Sequence, residues 1–202
     1  MATKTFDFGD GNGPVPASRH RNPSGAEGGW VAETASVADT VTMGKDARVF
    51  GTAQVSGTAQ ITCSAQVYGK AQVFGNAWVS DNAKIFGSAQ ISDNAIVSTD
   101  AKVFDNAKVF GDTKTSGNAR VFGDARVFGD ARVFGDALIS GKAQVNCNAQ
   151  VFDDARLFGE ALVSGTAQVS GTTRIFGNTK MFGDINVSEA LPVCSASSVL
   201  GW

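Results

Sequence analysis

Few side chains in this chain can move protons or hold a metal, and their spacing is the first constraint on function. The one histidine, His20, sits in Ser18-Arg19-His20-Arg21. A general base is best served by a neighbouring carboxylate, whereas His20 has a guanidinium on each side. Surface or partner contact through Arg19, His20 and Arg21 is therefore the favoured reading of this basic segment. A single His also excludes a metal site built from several imidazoles of one chain. The stretch Asp7-Phe8-Gly9-Asp10-Gly11-Asn12-Gly13 lacks the further alternating oxygens and the terminal bidentate Glu of a calcium loop, so Asx turns are expected there. Cys63, Cys147 and Cys194 share no CxxC spacing. No Ser-His-Asp order, Walker loop or dinucleotide fingerprint occurs. These residues predict no catalytic group, no metal and no cofactor.

The composition narrows the classes further. The 202 residues hold 24 Gly and 14 Phe but one Tyr, with 17 basic against 19 acidic side chains and a net charge of −2. Overall charge gives no case for a strongly basic nucleic-acid binder. No apolar run approaches the roughly 18 residues of a membrane span, so no membrane association is expected. The polar, Gly-rich first thirty residues carry no secretory pattern, which predicts a reduced, cytoplasmic protein.

The elements that must position any site follow from a six-residue repeat, most openly ARVFGD-ARVFGD-ARVFGD from Ala125. One column is small: Ala47, Ala53, Ala59 and onward to Ala167. The column two residues later is aliphatic: Val49, Val55, Ile61 and onward to Ile175. Residues two apart on a strand share a face, so both columns point inward and the Arg, Lys or Gln between them points out. Gly or Asp at the fifth position, then Asn, Asp or Thr, is turn chemistry. Each hexad is a short strand plus a corner. Helical spacing and a seven-residue period both fail to fit.

Sorting the fourth position at a period of 18 puts seven aromatics in eight places on one face: Phe50, Tyr68, Phe86, Phe104, Phe122, Phe158 and Phe176, with Ser140 the exception. Three hexads per coil and a triangular section follow. Beside that column run six cations: Arg48, Lys84, Lys102, Arg120, Arg156 and Arg174. Three uses stay open: a subunit interface, phenylalanines turned inward to fill the prism, or a surface for a ligand or foreign partner. The Ser and Thr column of the third face is broken by Phe134 and Phe152, against an ice-binding array.

Over residues 31 to 193 the pattern resembles the left-handed parallel β-helix of the hexapeptide-repeat proteins. That resemblance, not physics, implies the left hand. It implies about nine coils, roughly 40 Å long at about 4.8 Å per strand. Its enzymes are acyltransferases with a His as base on a coenzyme-A substrate, which would cast His20 in that role. The segment FDFGDGNGPVPASRHRNPSGAEGGW, running into GGWVAETASVAD, is similar to uncharacterised proteins of bacterial prophages and implies a phage origin without any transferable active site.

The expectation is thus an all-β parallel solenoid over 31–193, a Gly/Pro-rich loop and cap over 1–30 with at most a short strand near Phe6 to Phe8, and a cap or tail over 194–202. Phe6, Phe8 and Trp30 would plug the N-terminal end. Its function is expected to be non-enzymatic binding of a host macromolecule in the host cytoplasm, as an inhibitor of an anti-phage defence system. A homo-dimer or trimer and a host protein are the expected partners, with nucleotide or nucleic acid a further candidate. Coenzyme-A acyltransferase and virion scaffold are the alternatives.

Overall fold

The computed structural model describes residues 4–188, 192–193 and 198–200; Cys194 and most of the 194–202 segment fall outside them. The chain forms a triangular parallel β-solenoid with no helix among the described residues, its strands arranged in sheets of 12, 10 and 9 strands. Within the stack each strand pairs in parallel with the one 18 residues on, as in Arg48↔Gln66 and Val49↔Val67, so three hexads make one coil. Backbone bonds climb the stack in step: Lys84 N–H donates to Ala101 O at 3.0 Å and Phe86 N–H to Val103 O at 3.0 Å.

The core is made of the two inward columns. Every Ala from Ala47 to Ala167 in the repeat is fully buried, and so are nearly all its Val, Ile and Leu partners. No phenylalanine belongs to this core, which overturns the prism-filling reading of the fourth position. The physical reason is strict alternation: with Ala and Val pointing in, the residues after each must point out.

The corners show why Gly recurs. At Gly57 φ is +71°, and an added Cβ would fall 2.6 Å from Gly75 O in the next coil. Asp81, Asp93, Asp105 and Asp153 nevertheless occupy equivalent corners with φ of 57–58°. Each is compensated by a bond to the following coil, for example Gly111 N–H donating to Asp93 Oδ2 at 3.0 Å. Thr99 stands at φ 62° and Cys147 at 56°.

The first thirty residues hold the short strand expected near Phe6 to Phe8, but two further strands where loop was expected. Strand β1 (Thr5–Asp7) pairs antiparallel with β2 (Pro14–Arg21), which pairs antiparallel with β3 (Glu27–Ala32). β3 then joins the first coil in parallel, Trp30↔Arg48 and Val31↔Val49, so the segment is the edge of the 12-stranded sheet. Pro14 and Pro16 read as loop signals, but proline is tolerated in an edge strand. Nor do the aromatics plug the prism. Phe8 stacks on Phe50 at 4.8 Å and Phe6 on Trp30 at 4.5 Å; with Ala17 and Ala32 they form a second buried cluster, separate from the Ala–Val core and continuous with the ring column.

Candidate binding face

The face carried by the 12-stranded sheet has three parallel outward columns. The sixth position of the preceding hexad supplies Asn82, Asp100, Asn118, Asp136 and Asp154 along one corner. The second position supplies the cations of the middle, and the fourth the aromatics beside the next corner. Neighbours within a column lie one coil apart, so identical side chains meet repeatedly.

The aromatic column is a continuous stack. Phe8, Phe50, Tyr68, Phe86, Phe104 and Phe122 follow one another with centroids 4.8–5.0 Å apart, and the rings from Phe50 onward lie within 5° of parallel. At that separation offset-stacked rings attract one another. Ser140 interrupts the stack, which resumes as Phe158 and Phe176 at 5.2 Å. Burial within the stack raises the Tyr68 phenol above its ordinary range by desolvation.

The cations split into two groups. Arg48 belongs to the cap: its guanidinium donates to Phe8 O at 3.2 Å and lies 5.5 Å from the Phe6 ring centroid. Lys84, Lys102, Arg120, Arg156 and Arg174 have no ion pair, for among the described residues the ion pairs are Arg19–Glu27 and Lys142–Glu160. Their charge faces solvent. Between them and the Asn/Asp column run two adjoining depressions. One, of about 550 Å³, spans Lys84, Lys102 and Arg120. The other, of about 440 Å³, is lined by Asn118, Arg120, Asp136, Leu138, Asp154 and Arg156. Side-chain bonds brace the wall, Asn82 donating to Asp100 at 3.2 Å and Asn118 to Asp136 at 2.9 Å.

The basic N-terminal segment lies elsewhere and has structural partners. His20 is buried on β2, and its Nε2 lies 2.8 Å from Val41 O. A carbonyl can only accept, so Nε2 carries the proton in this contact. Arg19 donates to Gly28 O at 3.1 Å and Lys45 O at 2.5 Å, and its guanidinium lies 4.5 Å from the Trp30 ring centroid. Arg21 is exposed beside them, in a depression of about 220 Å³. Three residues expected to make surface contacts are thus one exposed cation and two groups closing the first coil. The acidic stretch folds as Asx turns, with Gly9 N–H on Asp7 at 2.8 Å and Asn12 N–H on Asp10 at 3.1 Å. The bonds from Asn12 lower the Asp10 carboxyl below its ordinary range.

Two features escaped the reading of the sequence. The Asn/Asp wall could have been found by sorting the sixth position at the 18-residue period. Asn22, which seals the edge of the first coil, had no signal in local sequence because its partner is Met43.

The family model described as YdcK beta solenoid repeat matches residues 89–103 and 125–141, in the middle of the stack. This likeness supports a repeat β-solenoid protein and covers less than half of the chain. No curated protein matches the chain.

Proposed function

We propose that this chain is a non-enzymatic binding protein whose 12-stranded face engages a host macromolecule. The observation that carries the reading is the external ring stack from Tyr68 to Phe122, beside cations without ion pairs. Aromatic and arginine side chains on a rigid, pre-formed surface are the anchors that partner surfaces favour. A solenoid that needs no rearrangement also spends little entropy on docking. In the setting that the prophage resemblance implies, the partner is a component of an anti-phage defence system, and binding blocks it.

The acyltransferase alternative fares less well. His20, its only imidazole, is buried and already bonded to Val41 O, at the edge of the depression of about 220 Å³ in the cap. Self-association into a dimer or trimer is a second reading with its own support. The cation column lies beside a carboxylate-bearing column, so a two-fold axis between them would set Lys102 and Arg120 against acidic side chains of a second copy.

The test is affinity capture from phage-infected bacteria with the wild type and with Arg120→Glu/Arg156→Glu, alongside light scattering of both. A host component retained by the wild type and lost by the variant supports the proposal. Failure to recover any reproducible host component counts against it, and a mass that falls to that of a single chain in the variant favours self-association.

A further inference from the structure

The ring column of the main face lacks one member. Ladder rings repeat at 4.8 Å per coil, so Phe122 and Phe158, two coils apart, are separated by about twice that step, or about 9.6 Å. That interval is the place of one planar ring with normal stacking distance to each neighbour. Ser140 puts no ring into the column, and its hydroxyl points back to Leu157 O at 3.5 Å. Phe158 beside it is 37% exposed, one of only three exposed large hydrophobic side chains among the described residues.

Next to this gap, in the middle column, the cation row is replaced by Leu138, with Arg120 and Arg156 one coil to either side. These three line the 440 Å³ depression with Asn118, Asp136 and Asp154. Its size falls in the range of about 300–1,000 Å³ typical of small-ligand sites. Three kinds of group therefore adjoin: a slot for a ring, two guanidiniums without ion pairs, and two carboxylates that accept hydrogen bonds. An aromatic side chain of a partner would use the first alone. A nucleoside phosphate uses all three, with base stacking, phosphate held by arginine, and ribose hydroxyls donating to carboxylate.

We propose that the gap at Ser140, with the depression beside it, is a binding site for a nucleoside monophosphate. The base stacks between Phe122 and Phe158, Leu138 lies under the sugar, and Arg120 and Arg156 hold the phosphate. Asp136 and Asp154 read the ribose hydroxyls. The site needs no partner chain and stands or falls separately from the macromolecular reading. A second ring gap, at Ser92 between Phe74 and Phe110, provides an internal control. Its middle column is Gln72, Gln90 and Lys108, without a pair of arginines.

The test is calorimetric titration of the full chain with AMP, adenosine and ribose 5-phosphate. Saturable binding of AMP is expected, with adenosine and ribose 5-phosphate each weaker by about tenfold or more. Ser140→Phe should abolish AMP binding while keeping the fold, because phenylalanine already fills this column on both sides. Phe158→Ala, which opens one wall, should weaken AMP by a similar factor and guards against a misfolded Ser140→Phe. Ser92→Phe should leave AMP binding unchanged. The proposal is overturned by no saturable AMP binding to the wild type, by AMP binding that survives Ser140→Phe, or by ribose 5-phosphate binding as tightly as AMP.

Discussion

The side chain of Asn22 bonds to both backbone groups of Met43: its Nδ2 donates to Met43 O at 2.9 Å, and its Oδ1 accepts from Met43 N–H at 2.7 Å. One amide thereby imitates a neighbouring strand at the first edge of the nine-stranded sheet, where no further coil exists to pair with it. Open sheet edges invite association, and this one is closed by a side chain. Asn22→Ala should lower stability by about 1–2 kcal/mol, since two bonds are lost at a partly buried edge. Asn22→Asp keeps the acceptor but loses the donor, and should fall between. Urea unfolding of the three proteins would check the order, and an Asn22→Ala protein as stable as wild type would contradict the capping role.

Thr113 and Thr115 occupy Ala and Val places in the core, fully buried, and their hydroxyls have no hydrogen-bond partner. A buried hydroxyl without a partner costs about 1–3 kcal/mol. Thr115→Val preserves the shape and removes that cost, so it should raise stability by about 1 kcal/mol or more. Thr113→Ala should gain less, because it also leaves a small void. Thermal unfolding is the measurement, and a lower midpoint for Thr115→Val would show that the hydroxyl is satisfied.

These threonines also mark how far the sequence could be read. The repeat made the solenoid, its 18-residue coil and its inward columns legible, because each side chain's direction follows from alternation alone. Even the outward aim of Phe86 and Phe104 was implied by that rule. What stayed hidden depends on contacts that local sequence does not encode. β2 looked like loop because Pro14 and Pro16 dominate it, and only its place at a sheet edge makes proline acceptable. His20 looked like a free imidazole because Val41 lies 21 residues away. The Asn118 and Asp136 wall beside Arg120 was legible in principle, since the two are 18 residues apart, but the depression it forms with Arg120 takes shape only after stacking.

Corner positions offer a matched pair of substitutions. Thr99 and Asp93 both hold a left-handed backbone, at φ 62° and 58°. That conformation costs a residue with a Cβ about 1–2 kcal/mol relative to glycine, and a β-branched side chain is the worse case. Thr99→Gly should therefore stabilise by about 1 kcal/mol. Asp93→Gly gains less relief and also loses the carboxylate that accepts from Gly111 N–H, and should come out near neutral. Chemical denaturation of both variants would decide, and equal gains would mean that the Asp93 bond contributes nothing.

Cys147 holds a corner with its sulfur exposed, and Ser164 Oγ donates to Sγ at 3.5 Å. That bond, with one from the Gly165 amide, draws the thiol below its ordinary range, while the nearby Asp130 charge opposes the shift. More thiolate at neutral pH means faster alkylation. Ser164→Ala should slow the reaction of Cys147 with iodoacetamide several-fold, read site by site by mass spectrometry, and an unchanged rate would remove the hydroxyl as cause.

Tyr68 is the single tyrosine, so its ionisation can be followed by absorbance without assignment. Desolvation between Phe50 and Phe86 raises its phenol above the ordinary value of about 10, because the charged form is the one that loses solvation. The native state then holds this proton more tightly than the unfolded chain does. The linked stability is fully present below the unfolded value and is lost as pH rises from there through the native one. Phenolate absorbance should accordingly appear at higher pH in the native protein than in guanidinium. Removing a stacked neighbour by Phe86→Ala should move the native titration back toward the unfolded one, and coincident native and denatured curves in the wild type would mean that the ring stack leaves Tyr68 open to water.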